Sequence, residues 1–215
     1  MPLRNGAHGY GRVSKSLHWL TVGLITAQFV VGYRMADEDP ALEREEDRLD
    51  ALEDGCRAET DAGEAAEERC EEQLELREDA LDARQDDVVG DALSGLFSGR
   101  AFGDGLSLPE WHVLLGLSII VVAVVRLLWR ATTPLPPWAE SLSAGERRLE
   151  SVLEKALLAL LLLVPASGLL LVAGVAPVAL HVAAHVVFFA VVGTHVGLVL
   201  RHTVIRRERH LSRML

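Results

Sequence analysis

Charge is missing from long parts of this 215-residue chain. No Asp, Glu, Lys or Arg occurs between Ala156 and Leu200, a stretch of 45 residues, and none occurs in Leu17–Tyr33 or Trp111–Val125. Such gaps exclude one ordinary soluble globular domain. Cysteine is almost absent. The two present, Cys56 and Cys70, are spaced too widely for a CxxC redox pair, and no histidine lies near them to complete a zinc site. Methionine is confined to Met1, Met35 and Met214, outside the apolar runs. No nucleophile stands beside a base in the manner of a hydrolase. Basic residues are not gathered on one polar domain, so a nucleic-acid-binding module is excluded.

The charge that is present is segregated. The formal net charge is −10, yet half of the residues are hydrophobic and the mean hydropathy is +0.23. Asp37 to Asp91 holds 24 acids and 6 arginines, net −18, and the rest of the chain is net +8. An acidic segment therefore lies within a basic, apolar protein, which also excludes disorder of the whole chain.

A helix needs about 20 residues to cross the hydrocarbon core. The 45-residue gap is then two crossings, divided best at Gly174-Val175-Ala176-Pro177. The pattern predicts an all-α protein: a four-transmembrane-helix up-and-down bundle, with helices near 15–35, 109–130, 152–174 and 178–201, and an acidic helical-hairpin insert between the first two. Three parts follow. Residues 1–36 are the N-terminus and first crossing, 37–107 the insert, and 108–215 the remaining crossings and a basic tail. Leu17–Tyr33 also reads as a signal peptide, with Arg4, Arg12 and Lys15 before it. No small-x-small site follows directly, which favours a retained helix.

Positive residues orient the helices. Arg4, Arg12 and Lys15, then Arg126, Arg130, Arg147, Arg148 and Lys155, then Arg201, Arg206, Arg207, Arg209 and Arg213 all fall on one side. That side is the cytoplasm in a bacterial inner membrane, with both termini there and the insert in the periplasm.

Within the insert, Leu42, Leu49, Leu52 and Cys56 recur near a 3.5-residue period, as do Cys70, Leu74, Leu81 and Val88. On one straight helix the two cysteines would stand about 21 Å apart, beyond disulfide reach. Folding back about Thr60-Asp61-Ala62-Gly63 sets Cys56 opposite Cys70 and lets them bond in an oxidising compartment. A mobile acidic helix with two thiols is the alternative. Gly90 to Leu108, rich in Gly and Ser, reads as a flexible return. The hairpin either docks a basic periplasmic redox partner or is a solvated spacer suited to high salt. Docking predicts electron exchange with a basic soluble cytochrome that slows with salt. A rate unchanged by deleting 40–100 would exclude it.

Histidines carry the chemical signal. Of 8, five lie in or at the edges of the apolar helices: His18, His112, His181, His185 and His195. A histidine beside Trp, as in His18-Trp19 or Trp111-His112, can be an interfacial anchor. Ionisable groups at membrane depth otherwise mark function. In the up-and-down arrangement His18 and His195 share the cytoplasmic side, and His112 and His181 share the other. His181 and His195 fall about 40° apart around one helix and about 21 Å apart along it. One helix face thus offers a ligand to each of two layers. Two histidines per layer are too few for zinc unless His185 or His202 joins. Two imidazoles on facing helices suit the axial positions of a haem iron, and the absence of CxxCH makes that haem non-covalent, b-type. Gly23, Gly116, Gly168, Gly193 and Gly197 offer places where a macrocycle can approach the backbone.

Several stretches carry a resemblance. They are Tyr10-Gly-Arg-Val-Ser-Lys-Ser-Leu-His18-Trp19-Leu20, His112-Val-Leu-Leu-Gly116, Arg126-Leu-Leu-Trp-Arg130, Pro134-Leu-Pro136, Pro165-Ala-Ser-Gly168, His181 with thirteen residues before His195, Arg201-His202 and Arg213-Met214-Leu215. In this order the chain resembles the prokaryotic cytochrome b561 family, itself similar to the cytochrome b subunits of hydrogenases and formate dehydrogenases. The resemblance covers most of the chain outside about 37–105. It implies two haem b groups, with His18 and His195 as axial ligands of the cytoplasmic-side haem and His112 and His181 of the periplasmic-side one. It also implies one-electron transfer between a quinol or quinone and a partner. Two departures stand out: Leu149-Glu150 where the family often has histidine, and Val182 where it commonly has Glu.

His185, one turn from His181, is the rival ligand. His202 is expected to meet headgroups or water, or else a propionate or quinone, while His8 and His210 are expected to be solvated. Arg126, Arg130 and Lys155 face propionates or a quinone headgroup, or else anchor the membrane edge. Two other functions stay open: an anchor and electron-transfer subunit of a larger oxidoreductase, and a His-lined metal-ion transporter.

Overall fold

The computed structural model describes residues 2–6, 9–38, 40–58, 64–100, 103, 105–138 and 141–206. Among these the secondary structure is helical, apart from one isolated backbone bridge between Gly6 and Gly9. The elements are α1 (Arg12–Glu38), α2 (Pro40–Ala58), α3 (Glu64–Ser98), α4 (Leu108–Thr132), α5 (Ala144–Val172) and α6 (Val178–Leu200), with a π-turn over Arg201–Ile205. The chain divides into two compact units. One comprises Met1–Ala27, Leu115–Leu171 and Val175–Leu215, and the other Gln28–Leu114 and Val172–Gly174.

Among the described residues three helical stretches are long and apolar enough to cross a membrane: Leu108–Thr132, Ala144–Val172 and Val178–Ile205. With 27 residues α1 has the length, but His18, Thr21, Thr26 and Gln28 interrupt its apolar run. Many large apolar side chains on these helices point outward, among them Leu128, Leu163, Val186 and Phe189, as expected of surfaces that meet lipid rather than water.

Helix ends follow local chemistry. Ser107 and Glu110 form a reciprocal cap on α4: the Ser107 N–H donates to the Glu110 carboxylate at 2.8 Å, and the Glu110 N–H donates to the Ser107 hydroxyl at 3.4 Å. Ser143 and Glu146 repeat it on α5, at 3.0 and 3.3 Å. This second cap starts α5 at Ala144, eight residues before the expected 152, so its first two turns carry Glu146, Arg147, Arg148 and Glu150. The expected break after α5 is present. Gly174 has φ +65°, a left-handed conformation suited to glycine, and Val175 N–H returns to the Leu170 carbonyl at 2.9 Å. Pro177 then stands at the N-cap of α6.

In the first unit, side chains bond successive helices. The Trp129 indole donates to the Ser14 hydroxyl at 3.0 Å, joining α4 to α1. Arg130 pairs with Glu154, joining α4 to α5. Asn5 orders the N-terminal segment: its Oδ1 accepts from Gly11 N–H and the Ser14 hydroxyl, and its amide donates to the Pro134 carbonyl at 3.1 Å. Gly11 admits no side chain there, because a Cβ would come within 2.4 Å of the Arg4 backbone.

In the second unit α2 and α3 pack together, joined by a Cys56–Cys70 disulfide with Cα atoms 5.8 Å apart. The hairpin pairing of the cysteines is therefore present, and the two-thiol alternative is not. Leu49, Leu52 and Leu74 are half-buried, as their period predicts, while Glu71, Glu72 and Glu75 are exposed. The predicted turn at 60–63 and the side chains of Leu42, Leu81 and Val88 lie outside the described residues. The flexible return expected from Gly90 starts later, because α3 continues to Ser98. Its last turns are packed: Ala92 is buried, and a Cβ on Gly95 would come within 2.8 Å of Glu110 Oε1.

Candidate functional site

In the first unit, α1 and α6 carry His18 and His195, both half-buried. Arg126 and His195 lie within electrostatic reach of His18. The Trp19 ring sits edge-on to the His18 ring, with centroids 5.5 Å apart. Arg126 turns inward from α4 and donates to the Thr21 hydroxyl at 3.0 Å. Thr21 donates in turn to the Leu17 carbonyl at 2.7 Å and is buried. A cation thus stands beside one candidate ligand, held by a residue one turn along the same helix.

His181, near the start of α6, meets Ser167 and Gly168 of α5. Its Nδ1 lies 2.9 Å from the Ser167 hydroxyl oxygen, which itself donates to the Val164 carbonyl at 2.7 Å. Its Cε1 lies 3.1 Å from where a Cβ on Gly168 would stand. The ring is therefore seated close against Gly168, and a Cβ there would push it aside by a few tenths of an ångström. His185, the rival, donates from Nδ1 to the His181 carbonyl at 2.9 Å, and its ring lies edge-on to that of His181 with centroids 4.4 Å apart. Its orientation is set by its own helix, that of His181 by the neighbouring one.

In the second unit, His112 of α4 meets α1. The Gln28 amide donates to His112 Nε2 at 3.0 Å, and Gly32 leaves room for the ring, with a built Cβ 3.4 Å from Cε1 and Nδ1. The Gln28 amide stands where a metal bound through Nε2 would lie, so ligation there requires Gln28 to rotate away.

The basic ends of the helices differ from expectation in two respects. His202 is not at headgroups or water but completely buried, in the π-turn, with Nε2 3.9 Å from Glu150 Oε1. The turn closes through Arg206 N–H to the Arg201 carbonyl at 3.1 Å, a widening often found at functional sites. Arg130 is neutralised by Glu154, while Lys155 is exposed, so of the three basic candidates only Arg126 is turned toward a candidate ligand. Glu146, near the start of α5, bonds Ser143 and Arg206. His8 and His210 lie outside the described residues.

Sequence reasoning missed Ser167, Gln28, Gly32, Glu150 and Glu154. Each bonds or seats a residue on another helix, a relation that no single-helix period announces. The residues present fit a b-type haem, which needs imidazole ligands and room for a flat ring. Two histidines lie within reach of each other in the first unit, and two imidazoles are seated on glycines. The built Cβ positions of Gly23, Gly193 and Gly197 look into open space. Among the described residues no three His, Cys, Asp or Glu come together to hold a metal ion, the least that a zinc site needs.

No curated protein and no solved structure matches the chain. Residues 9–215 match the prokaryotic cytochrome b561 family, nearly the whole chain. With all-helical structure, apolar helices long enough to cross a membrane and histidines seated between them, the chain belongs to the prokaryotic cytochrome b561 family, whose members are haem-binding membrane cytochromes that carry electrons.

Proposed function

We propose that the chain is a dihaem b-type cytochrome of four membrane-crossing helices, passing single electrons between a quinol or quinone and a redox partner. The observation that carries this reading is the setting of the four depth-selected histidines. His18 has His195 and Arg126 within reach, His112 sits on Gly32, and His181 sits on Gly168 with its Nδ1 bonded to Ser167. His18 and His195 hold the cytoplasmic-side haem, and His112 and His181 the periplasmic-side one. When bound, haem iron supplies the one-electron chemistry.

The chain's own residues do the rest. The imidazoles hold and orient the group, Arg126 places a positive charge beside the His18 layer, and the apolar helices exclude water. The fourth crossing is α1. Its polar Thr21 bonds Arg126 rather than facing lipid, which offsets the cost of a polar group at membrane depth. The disulfide of the α2–α3 hairpin suits an oxidising periplasm, and its acidic surface suits a basic partner there.

The test is a reduced-minus-oxidised visible spectrum of the protein in mild detergent, with haem measured per polypeptide. Sharp b-type bands at about two haems per chain are expected of two bis-histidine layers. A colourless protein, made with haem supplied during expression, would overturn the reading.

A further inference from the structure

We propose that Ser167 is a positioning residue that fixes the protonation and direction of the His181 imidazole, so that Nε2 is the nitrogen presented to iron. The proposal rests on the dihaem reading and adds to it a residue that the helix pattern does not reveal.

The argument is proton bookkeeping at one hydroxyl. Ser167 has a single O–H proton. The Val164 carbonyl oxygen, 2.7 Å away, can only accept, so it takes that proton. The hydroxyl oxygen then has only lone pairs left for His181 Nδ1, 2.9 Å away. That contact is a hydrogen bond only if Nδ1 carries the proton. A neutral imidazole has one N–H, so Nε2 carries the lone pair. Ser167 is 7% exposed, so water scarcely competes for either bond. Gly168, the next residue, leaves the space into which the ring is held. Ser167 and Gly168 thus act as one seat on α5: the hydroxyl sets the ring's direction, and the missing side chain sets its depth.

The same reasoning separates the two adjacent histidines. The Nδ1–H of His185 is spent on the His181 backbone carbonyl, a bond within α6 that ties the ring to its own helix. The N–H of His181 is held by another helix. An acceptor on the N–H of a metal-bound imidazole fixes its tautomer and raises its basicity, and a more basic imidazole favours ferric over ferrous iron.

The test uses the full chain in mild detergent, as S167A, S167T, H181A and H185A. Haem per polypeptide, the low-spin ferric resonance signals and the midpoint potentials of both haems are measured for each. S167A is expected to hold one haem roughly 10- to 100-fold more weakly and to raise the midpoint of that haem alone. A tenfold loss of ferric preference corresponds to about 59 mV for one electron. S167T, which keeps the hydroxyl, should restore both values. If S167A leaves both potentials and both ferric signals unchanged while H181A loses a haem, Ser167 has no positioning role and the dihaem reading stands. The proposal also falls if S167A only lowers the melting temperature. If H185A loses a haem and H181A does not, the ligand assignment fails and the proposal with it. A wild-type chain that binds no haem overturns the dihaem reading itself.

Discussion

Replacing Gly168 by alanine should weaken haem binding although it favours the helix. The added Cβ would stand 3.1 Å from His181 Cε1, 3.5 Å from Nδ1 and 3.6 Å from Nε2. Gly to Ala within a helix stabilises it by about 1 kcal/mol, but that gain applies to haem-free and haem-bound protein alike and cancels in the affinity. The crowding does not cancel. Without haem the ring can yield by a few tenths of an ångström, whereas a ring bonded to both Ser167 and iron cannot. Overpacking of this kind costs about 1–3 kcal/mol, which is about 5- to 150-fold in affinity at 1.4 kcal/mol per tenfold. Gly32 supplies the control. Its built Cβ lies 3.4 Å from the His112 ring, an ordinary contact, so G32A should bind haem nearly as the natural protein does. Haem titrated into the haem-free variants, with affinity read from the absorbance of the bound form, measures both. Wild-type affinity in G168A, or a greater loss in G32A, would refute the reasoning that the His181 ring is seated on Gly168 at its ligating position.

Three further outcomes are expected. R126Q removes a positive charge within reach of His18. Positive charge favours the reduced iron, so redox titration should show the midpoint of one haem falling, and a rise would contradict the placement. C56S/C70S opens a loop of sequence separation 14 and should cost the α2–α3 hairpin about 3 kcal/mol, seen as faster amide exchange in α2 and α3 with haem content unchanged. S143A removes the cap of α5 and should cost about 1 kcal/mol, read from thermal melting.

Some of the site was legible in the residues and some was not. The boxes Ser107-x-x-Glu110 and Ser143-x-x-Glu146 are S-x-x-E signals, and reading the second would have started α5 at its observed position. The long α3 was obscured by Gly90, Gly95 and Gly99, which suggest a loop, yet Gly95 serves close packing against Glu110. His202 follows an apolar helix and precedes arginines, so it reads as a membrane-edge residue. Its burial depends on the π-turn and on Glu150 of α5, neither of which its own neighbours in sequence specify.

The sequence by itself determined the all-helical character, the apolar stretches and the break at Gly174–Pro177, and it offered the joining of Cys56 to Cys70, which the structure then decided against two free thiols. Each follows from residues close along the chain: runs without charge, a glycine tolerant of positive φ, and a period that brings two cysteines together when the segment folds back. Only the tertiary structure decided which groups surround the histidines. Ser167 beneath His181, Gln28 beside His112 and Arg126 bonded to Thr21 join residues 14, 84 and 105 positions apart. Apart from its histidines and Thr194, α6 is apolar around its whole circumference, and such a helix has no polar face to say which neighbour it meets. That choice is made by packing, and in this chain the packing sets the chemistry of the imidazoles.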